Sequence, residues 1–355
     1  MFVHRTLPRA LTAATLALAL AGCGSATHST APSPAATHPG LATTSVAAAT
    51  RATSPALAKG ASAWVSVAVA RLWQSPTSPW PVDAPALRAP VRFRAWLGAM
   101  SLSQRRALDL RSDTEALMGD RVRVVRLLPH WAKVVVPSQP SQKDPRGYPG
   151  WVPRRQLTAT APASTPTVAT VVARTAWLRA DDSAAQRLTE ISFGTDLPVV
   201  ARAGDYVRVT VPGGEVRRLA TSVVSLHAPG QPALAPGRTA LTTTAKSFLG
   251  LSYLWGGLSG FGIDCSGLTW LDYRVHGIRI PRDALPQSRS GQVVTTRLPG
   301  DLLFYASGGL VHHVSMYLGD GLMIHAPHTG DVVRIASFAA PPLRSQYAGA
   351  RRYLG

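Results

Sequence analysis

The sequence predicts a multi-domain protein in which two small all-β domains are followed by an α+β domain. Short runs of alternating apolar and polar residues, separated by Gly and Pro, occupy residues 62–228 and are typical of small barrels. Beyond residue 237, a helical pattern lies between a glycine-rich loop and a predicted hairpin. The expected order is a signal peptide at 1–22, a tether at 23–61, β domains at 62–159 and 166–228, and the α+β domain at 237–355.

The N-terminus is typical of an export signal. Basic residues precede an apolar run from Leu11 to Ala21 that is too short to span a bilayer. The run ends in Leu20-Ala21-Gly22-Cys23, which resembles the lipobox of bacterial lipoproteins. The resemblance implies cleavage before Cys23, lipidation of its thiol and attachment to the membrane. An ordinary secretory signal with an incidental cysteine is the alternative.

Residues 23–61 are rich in Ala, Thr, Ser and Pro, which cannot bury a core, so a tether is expected. The chain contains 2 cysteines. If Cys23 is lipidated, Cys265 has no disulfide partner. A lone cysteine in an oxidising compartment is expected to be buried or used chemically.

The first β domain is predicted from four runs with strand character, at residues 64–70, 121–125, 131–136 and 147–153. An insertion at about residues 75–115 is expected to include a helix over 102–117. A weaker second copy occupies residues 168–227 and lacks the Gly-Trp element of the first. Linkers rich in Ala and Pro bound this copy at residues 160–166 and 228–236.

The helical pattern of the third domain begins at a cysteine. Asp264 is a favourable N-cap and Gly277 a favourable C-terminal residue, which places Cys265 in the first turn. Free N–H groups and the helix dipole are expected to favour its thiolate. The apolar residues at helical spacing are Ile263, Leu268, Leu271 and Val275.

The segment after this helix is predicted to form a strand hairpin. Gly319-Asp320-Gly321 is a turn signal. A three-residue turn would place Leu318 opposite Leu322, and Ser315 opposite His325.

This register puts two histidines on one face of the hairpin. His313 and His325 would be diagonal neighbours about 7–8 Å apart at the backbone. One could act as the base for a nucleophile while the other orients it.

Together these motifs resemble the NlpC (new lipoprotein C) family of papain-like cell-wall cysteine peptidases. The resemblance covers residues 237–355. It is carried by Tyr253-x-Trp255-Gly256-Gly257, Asp264-Cys265-Ser266-Gly267, His313-Val314 and Ile324-His325-Ala326-Pro327. The family resemblance implies that Cys265 is the nucleophile, His313 the base and His325 the orienting residue. It also implies that Tyr253 binds the oxyanion together with the Cys265 backbone N–H.

The resemblance also implies a substrate, a peptidoglycan stem peptide cut between D-γ-glutamate and the diamino acid. Asp264 and Ser266 resemble residues that bind the substrate's amino end. Arg282 lies in a further family motif at residues 281–287, where Ala284 replaces the usual serine. That departure would remove one contact from the substrate pocket and leave the chemistry unchanged.

The β domains resemble bacterial SH3-like domains, which bind wall components in this family. In some members the first of them also caps the active-site cleft. By that resemblance Glu115 and Tyr148 are candidate contacts to the free amino end. A packing role for Tyr148 is the alternative.

The expected partners are stem peptides or muropeptides, and the membrane through the lipid anchor. A formal net charge of +19 adds anionic wall polymers as a possible class of partner. The arginines are scattered without a nucleic-acid-binding pattern, so no nucleic acid is expected. No cofactor is expected. A metal site is disfavoured because His312 and His313, adjacent on a strand, point to opposite faces.

Two alternatives to a stem-peptide endopeptidase stay open at this point. One is a catalytically inactive wall-binding lipoprotein whose β domains carry the function. The other is an amidase or acyltransferase that uses the same fold.

Overall fold

The computed structural model describes residues 55–355. The predicted signal peptide, Cys23 and most of the predicted tether therefore lie outside the described residues. Within the described range, the predicted class, two all-β domains followed by an α+β domain, is confirmed. No helix in this range is long and apolar enough to cross a membrane.

The first β domain is a seven-stranded sheet with the order β3-β2-β6-β5-β4-β1-β7. Its insertion contains two short α-helices and two 3₁₀ helices. The strands are β1 (Ser62–Val65), β2 (Val69–Trp73), β3 (Ser112–Leu117), β4 (Arg121–Leu127), β5 (Trp131–Val136), β6 (Tyr148–Pro153) and β7 (Leu157–Thr158). The helices are α1 (Phe93–Ala99), α2 (Leu102–Arg106) and the 3₁₀ turns Pro81–Leu87, Ala107–Leu110 and Arg154–Gln156.

Two predictions for this domain are wrong in part. The run at 64–70 forms the end of β1 and the start of β2 instead of one strand. The helix predicted over 102–117 ends early, because α2 and a 3₁₀ turn give way to β3 at Ser112. Strand β3 pairs with β2 along its length, so tertiary pairing overrides the local helical pattern.

The second β domain repeats the first strand for strand. Its order, β10-β9-β13-β12-β11-β8-β14, is the same order with each strand number raised by seven. The weaker sequence copy therefore has the complete strand arrangement. Its strands are β8 (Val168–Val171), β9 (Thr175–Arg179), β10 (Arg187–Ser192), β11 (Asp196–Ala203), β12 (Tyr206–Thr210), β13 (Val216–Ala220) and β14 (Val224–His227), with a 3₁₀ turn at Thr221–Val223.

The third domain packs helices on a six-stranded sheet with the order β17-β22-β18-β19-β20-β21. A short hairpin of β15 and β16 precedes the helix that begins at Cys265. The helices are α3 (Arg238–Lys246), α4 (Cys265–Val275), α5 (Ala284–Ser288) and α6 (Leu343–Gln346). The strands are β15 (Leu258–Ser259), β16 (Gly262–Ile263), β17 (Gln292–Val294), β18 (Leu302–Ser307), β19 (Leu310–Gly319), β20 (Leu322–His325), β21 (Arg334–Ser337) and β22 (Tyr347–Arg352).

The β19–β20 hairpin departs from the predicted turn by one residue. Asp320 and Gly321 alone form the loop, and both have positive φ, 49° and 72°, as a two-residue type I′ turn requires. Gly319 therefore pairs with Leu322, and the predicted Leu318–Leu322 pair is wrong. A bulge restores the predicted register further along the strands, where Met316 faces Ile324.

Strand β19 is buried on both faces over residues 313–316, whereas its alternation predicted one buried face. Val314 and Met316 belong to the main core beneath α4. The opposite face carries a second small cluster that includes Tyr305 and Met323, and Phe338 and Leu343 pack against it.

One hydrophobic core joins the three domains. It contains Trp73 of the first domain, Phe193 of the second and Phe248 of the third. Phe193 and Phe248 meet edge to face with ring centroids 5.0 Å apart. Arg274 of α4 also donates to Asp120 at 2.8 Å and to Asp196 at 3.4 Å, so a single side chain bonds to both β domains.

Replacement of Gly260 by Ala tests the docking of the second β domain on the glycine-rich loop. A Cβ at this position would lie 1.7 Å from the Arg174 carbonyl oxygen, so backbone must move. We expect a loss of about 1–3 kcal/mol in the free energy of unfolding, measured by urea titration. Gly98→Ala is the matched control, because a Cβ there meets no atom within 4 Å. Equal stability of the two variants would contradict the docking.

Candidate active site

The position of Cys265 is fixed by the first turn of α4. Asp264 has an extended backbone and caps the helix, with its Oδ1 accepting the Gly267 N–H at 2.6 Å. This cap leaves the N–H groups of Cys265 and Ser266, at the first two helical positions, without helical acceptors. The Ser266 N–H acts on the cysteine sulfur, and the Cys265 N–H beside it has no helical acceptor.

The Cys265 thiol is buried, with 8% of the residue exposed. Burial first, and then the negative charge of Asp264, raise its pKa to about 12. Backbone N–H groups of Val314 and Ser266 act in the opposite direction but are outweighed. This direction is opposite to the thiolate that the helix start alone would favour.

The hairpin brings the two predicted histidines together. His313 Nε2 and His325 Nδ1 are 2.9 Å apart and share one hydrogen bond. The rings meet edge to face with centroids 5.2 Å apart. Both residues are almost fully buried, and the strand of His313 packs against α4. Because Nε2 of His313 is engaged, Nδ1 is the nitrogen left to exchange a proton.

Both histidines are neutral in this environment. Burial, followed by the positive charge that His325 would carry, lowers the pKa of His313 to about 3. Burial and then Arg334 lower the pKa of His325 to about 4. The Nε2 of His325 is buried and has no hydrogen-bond partner within residues 55–355.

Tyr253 lies between the glycine-rich loop and the segment that follows His325. Its backbone N–H donates to the Asp331 carbonyl at 2.8 Å. Burial and then the proximity of Cys265 raise the pKa of its phenol, which stays protonated. The side chain is thus a neutral O–H donor close to the cysteine sulfur.

Arg282 is completely buried and binds the predicted amino-end residues. It donates from both Nη atoms to Asp264, at 2.9 and 3.1 Å, and to Ser266 Oγ at 3.0 Å. Its Nε donates to Thr114 Oγ1 of the first β domain at 2.9 Å. The arginine therefore connects the helix cap to another domain.

Glu115 is also completely buried, and both of its oxygens are engaged within the protein. Oε1 accepts from Arg71 Nη1 at 2.9 Å, and Oε2 accepts the Leu258 N–H at 2.8 Å. Arg71 also donates to the Trp255 carbonyl. The Arg71–Glu115 pair thus holds the glycine-rich loop in place. This arrangement favours a positioning role for Glu115 over direct contact with substrate.

Tyr148 packs in the core of the first β domain, and 2% of it is exposed. Its hydroxyl nevertheless reaches the third domain and donates to Asp283 Oδ1 at 3.3 Å. Burial raises the pKa of the Asp283 carboxyl. Packing and polar contact are thus combined in one tyrosine side chain.

The motif that contains Ala284 keeps its structural contacts. Gln287 donates to the Ser266 carbonyl at 3.2 Å and accepts from Thr269 Oγ1 at 3.0 Å, so it holds the first turn of α4. Ala284 begins α5, where the preceding Asp283 makes no side-chain cap. A serine at 284 would offer a hydroxyl that this chain lacks.

Sequence reasoning missed Arg71, Thr114 and Asp283. Arg71 could have been suspected, because a lone arginine in an apolar strand must be paired if it is buried. The other two carry no local signal. Across residues 55–355, no group of three or more His, Cys, Asp or Glu side chains is arranged to hold a metal ion.

Comparison with known proteins gives two family matches. Residues 250–352 match the NlpC/P60 family, and residues 171–226 match the YKFC SH3b2 domain. The SH3-like resemblance of the second β domain is confirmed by the latter match.

Two curated relatives carry the name gamma-D-glutamyl-L-lysine dipeptidyl-peptidase. The protein from Bacillus cereus is 39% identical over 306 residues, covering 83% of this chain and 92% of the relative. The protein from Bacillus subtilis is 38% identical over 292 residues, covering 80% and 96%. The crystal structure of an NlpC/P60 family protein from Bacillus cereus has a TM-score of 0.79 at 38% identity, covering 83% of this chain and 100% of that one.

The pH dependence of Cys265 alkylation tests the neutral thiol. With a pKa of about 12, the thiolate fraction rises about tenfold per pH unit throughout the range from pH 6 to pH 9. We therefore expect the iodoacetamide rate to rise in proportion, measured by mass spectrometry of the peptide that contains Cys265. Glutathione in the same buffers gives the profile of an ordinary thiol. A rate that is high and constant across this range would instead reveal a thiolate–imidazolium pair.

Proposed function

The chain belongs to the NlpC/P60 family. From that premise we propose that it hydrolyses peptidoglycan stem peptides at the bond between D-γ-glutamate and the diamino acid, so that the part of the stem beginning with the diamino acid is released. The chain is a cysteine peptidase of the cell-wall hydrolase class. The observation that supports the proposed reaction most directly is the placement of Cys265 at the start of α4 against the strand that carries the bonded His313–His325 pair. The two Bacillus relatives match this chain over most of their own length, and their name specifies γ-D-glutamyl-L-lysine.

In the proposed mechanism, the sulfur of Cys265 attacks the γ-carbonyl of D-glutamate. The thiol proton moves to Nδ1 of His313, while Nε2–H of the same ring donates to His325 and fixes the tautomer. Both groups are neutral beforehand, so proton transfer accompanies formation of the C–S bond. Three residues that lie far apart in the sequence therefore act as one unit.

The developing oxyanion is held by the Cys265 backbone N–H and the Tyr253 phenol in this scheme. The N–H is free because Asp264 caps the helix at Gly267 instead. His313 then returns its proton to the leaving amine, and the C–N bond breaks. Water activated by His313 hydrolyses the thioester and regenerates the thiol.

We assign the amino end of the substrate to Asp264, Ser266, Tyr148 and Asp283. Two carboxylates and two hydroxyls meet there, a composition that favours an ammonium ion. Arg282 neutralises one carboxylate and keeps it in place. Glu115 contributes indirectly, by holding the Leu258 backbone.

We place the enzyme outside the cytoplasm, attached to the membrane through Cys23. The lipobox-like sequence and the uncharged segment that follows support this location. The first β domain contributes part of the proposed cleft through Tyr148. We propose that exposed surfaces of both β domains bind the cell wall.

Mass spectrometry of L-Ala-γ-D-Glu-L-Lys after incubation with the enzyme tests the reaction. We expect L-Ala-D-Glu and L-Lys as products, and a rate lower by about a thousandfold or more in Cys265→Ala. The N-acetyl analogue should be cut about a hundredfold more slowly or worse, because it leaves the buried carboxylates without a cation.

Four other outcomes would each contradict the proposed reaction in a different way. Release of the intact tripeptide from its N-acetylmuramoyl derivative would indicate an amidase, and a ligated product would indicate an acyltransferase. Cleavage that survives Cys265→Ala at the wild-type rate would contradict the cysteine mechanism. No cysteine-dependent product at all would favour the inactive wall-binding alternative.

Replacement of Cys23 by Ala tests the anchor. We expect the wild-type protein in the membrane fraction and the variant in the soluble extracytoplasmic fraction, because the lipid would have no attachment point. Immunoblotting of the fractions, with Cys265→Ala as the matched cysteine control, measures the distribution. Retention of Cys23→Ala in the membrane to the wild-type extent would contradict a lipid anchor.

A further inference from the structure

A small pocket lies beside Tyr253 and is not lined by any residue of the proposed amino-end site. Its volume is about 210 Å³, on the scale of one amino acid. One wall is α2 of the insertion in the first β domain, and the other is the segment after His325. The lining residues that matter are Leu102, Arg105, Tyr253, Gly330 and Asp331.

Two features connect the pocket with the proposed catalytic residues. Tyr253, the proposed oxyanion donor, forms part of it. The segment that carries Gly330 and Asp331 continues from β20, which ends at the catalytic pair in His325. The pocket therefore shares Tyr253 with the proposed oxyanion site and is joined to His325 by a short stretch of chain, and neither link involves an amino-end residue.

The α2 wall carries a positive charge. Arg105 is half-buried, and its Nη2 donates to the Leu97 carbonyl, which fixes the guanidinium in position. Leu102 next to it is 46% exposed and lies against Gly330. An anchored guanidinium with an apolar neighbour suits a carboxylate at the end of an aliphatic chain.

The opposite wall carries a negative charge. Asp331 Oδ1 accepts the Val332 N–H at 2.8 Å, and Oδ2 is paired with Arg334. The side chain of Arg334 is 50% exposed, so this pair is worth little and a second cation can compete for the carboxylate. His328 lies 3.9 Å from the same oxygen and is more exposed still.

We propose that this pocket binds the leaving diamino acid, with Arg105 on its carboxylate and Asp331 on its side-chain ammonium. The inference rests on the proposed function. A diamino acid carries a negative carboxylate and a positive side-chain ammonium. The two walls of the pocket carry the opposite charges, a guanidinium on α2 and a carboxylate on the segment after His325. The insertion in the first β domain thereby becomes a specificity element for the group that leaves.

Two substrates with a common acyl part test the role of Arg105 in the full-length enzyme. They are L-Ala-γ-D-Glu-L-Lys and the 7-amino-4-methylcoumarin amide of L-Ala-γ-D-Glu, whose leaving group has neither charge. The quantity measured is kcat/KM for the peptide divided by kcat/KM for the coumarin amide. We expect Arg105→Ala to lower this ratio about tenfold or more, mainly by raising KM for the peptide. Arg105→Lys should restore part of the ratio, because it keeps the charge. Arg106→Ala, which removes an exposed neighbouring charge on α2, should leave the ratio within about twofold.

A second pair of substrates tests Asp331. Wild-type enzyme should prefer L-Ala-γ-D-Glu-L-Lys over the L-norleucine analogue, which lacks only the ammonium. Asp331→Asn keeps the side-chain shape and should reduce that preference about tenfold. A preference that Asp331→Asn leaves intact would overturn the assignment of the ammonium.

The outcomes separate this inference from the proposed function. In one outcome, wild-type enzyme cleaves both Arg105 test substrates while Arg105→Ala cleaves both more slowly by the same factor. In that case the arginine is structural, and the pocket assignment is wrong while the proposed function stands. An unchanged ratio would overturn the assignment as well. If wild-type enzyme cleaves neither substrate, the proposed function fails, and the inference fails with it.

Discussion

The buried ion pair between Arg282 and Asp264 is the constraint on which the site depends. Asp264 must cap α4 to place Cys265, but a carboxylate with so little water needs a counter-charge. Arg282 provides it, and then needs acceptors for its own donors. Thr114 of the first β domain supplies one of them. Breaking a buried pair by removing one partner costs about 3–5 kcal/mol. The first β domain therefore helps to hold the helix cap, through the acceptor that Thr114 gives to Arg282.

A second buried ion pair, between Arg71 and Glu115, holds the glycine-rich loop in the same way. Arg71 and Glu115 both come from the first β domain, and both bind backbone groups of residues 255–258. No side chain in that loop could replace them, because the close packing around Gly256 and Gly257 leaves no room for a Cβ. The loop conformation before Cys265 is therefore held by contacts from the first β domain, in addition to the core that the three domains share.

The sequence predicted the parts of this protein that depend on local pattern. Helix α4 begins after the predicted cap Asp264 and ends two residues before Gly277, and the His313–His325 pair follows from a two-residue period and one turn. Burial of β19 on both faces was not predictable, because the covering segment lies more than twenty residues downstream. The strand at Ser112–Leu117 was missed for a similar reason, since its helical pattern yields to pairing with β2.

The ionisation state of Cys265 was beyond sequence reasoning because two effects of one residue compete. In the proposed mechanism, Asp264 caps α4 and leaves the Cys265 N–H free for an oxyanion, but the charge of Asp264 also raises the thiol pKa. Arg282 offsets that charge only in part. An ammonium bound at Asp264 would offset more of it, because a second cation beside the carboxylate weakens its effect on the sulfur. Recognition of a free amino end and activation of the thiol would then depend on the same carboxylate, and a substrate without that amine would meet a poorer nucleophile.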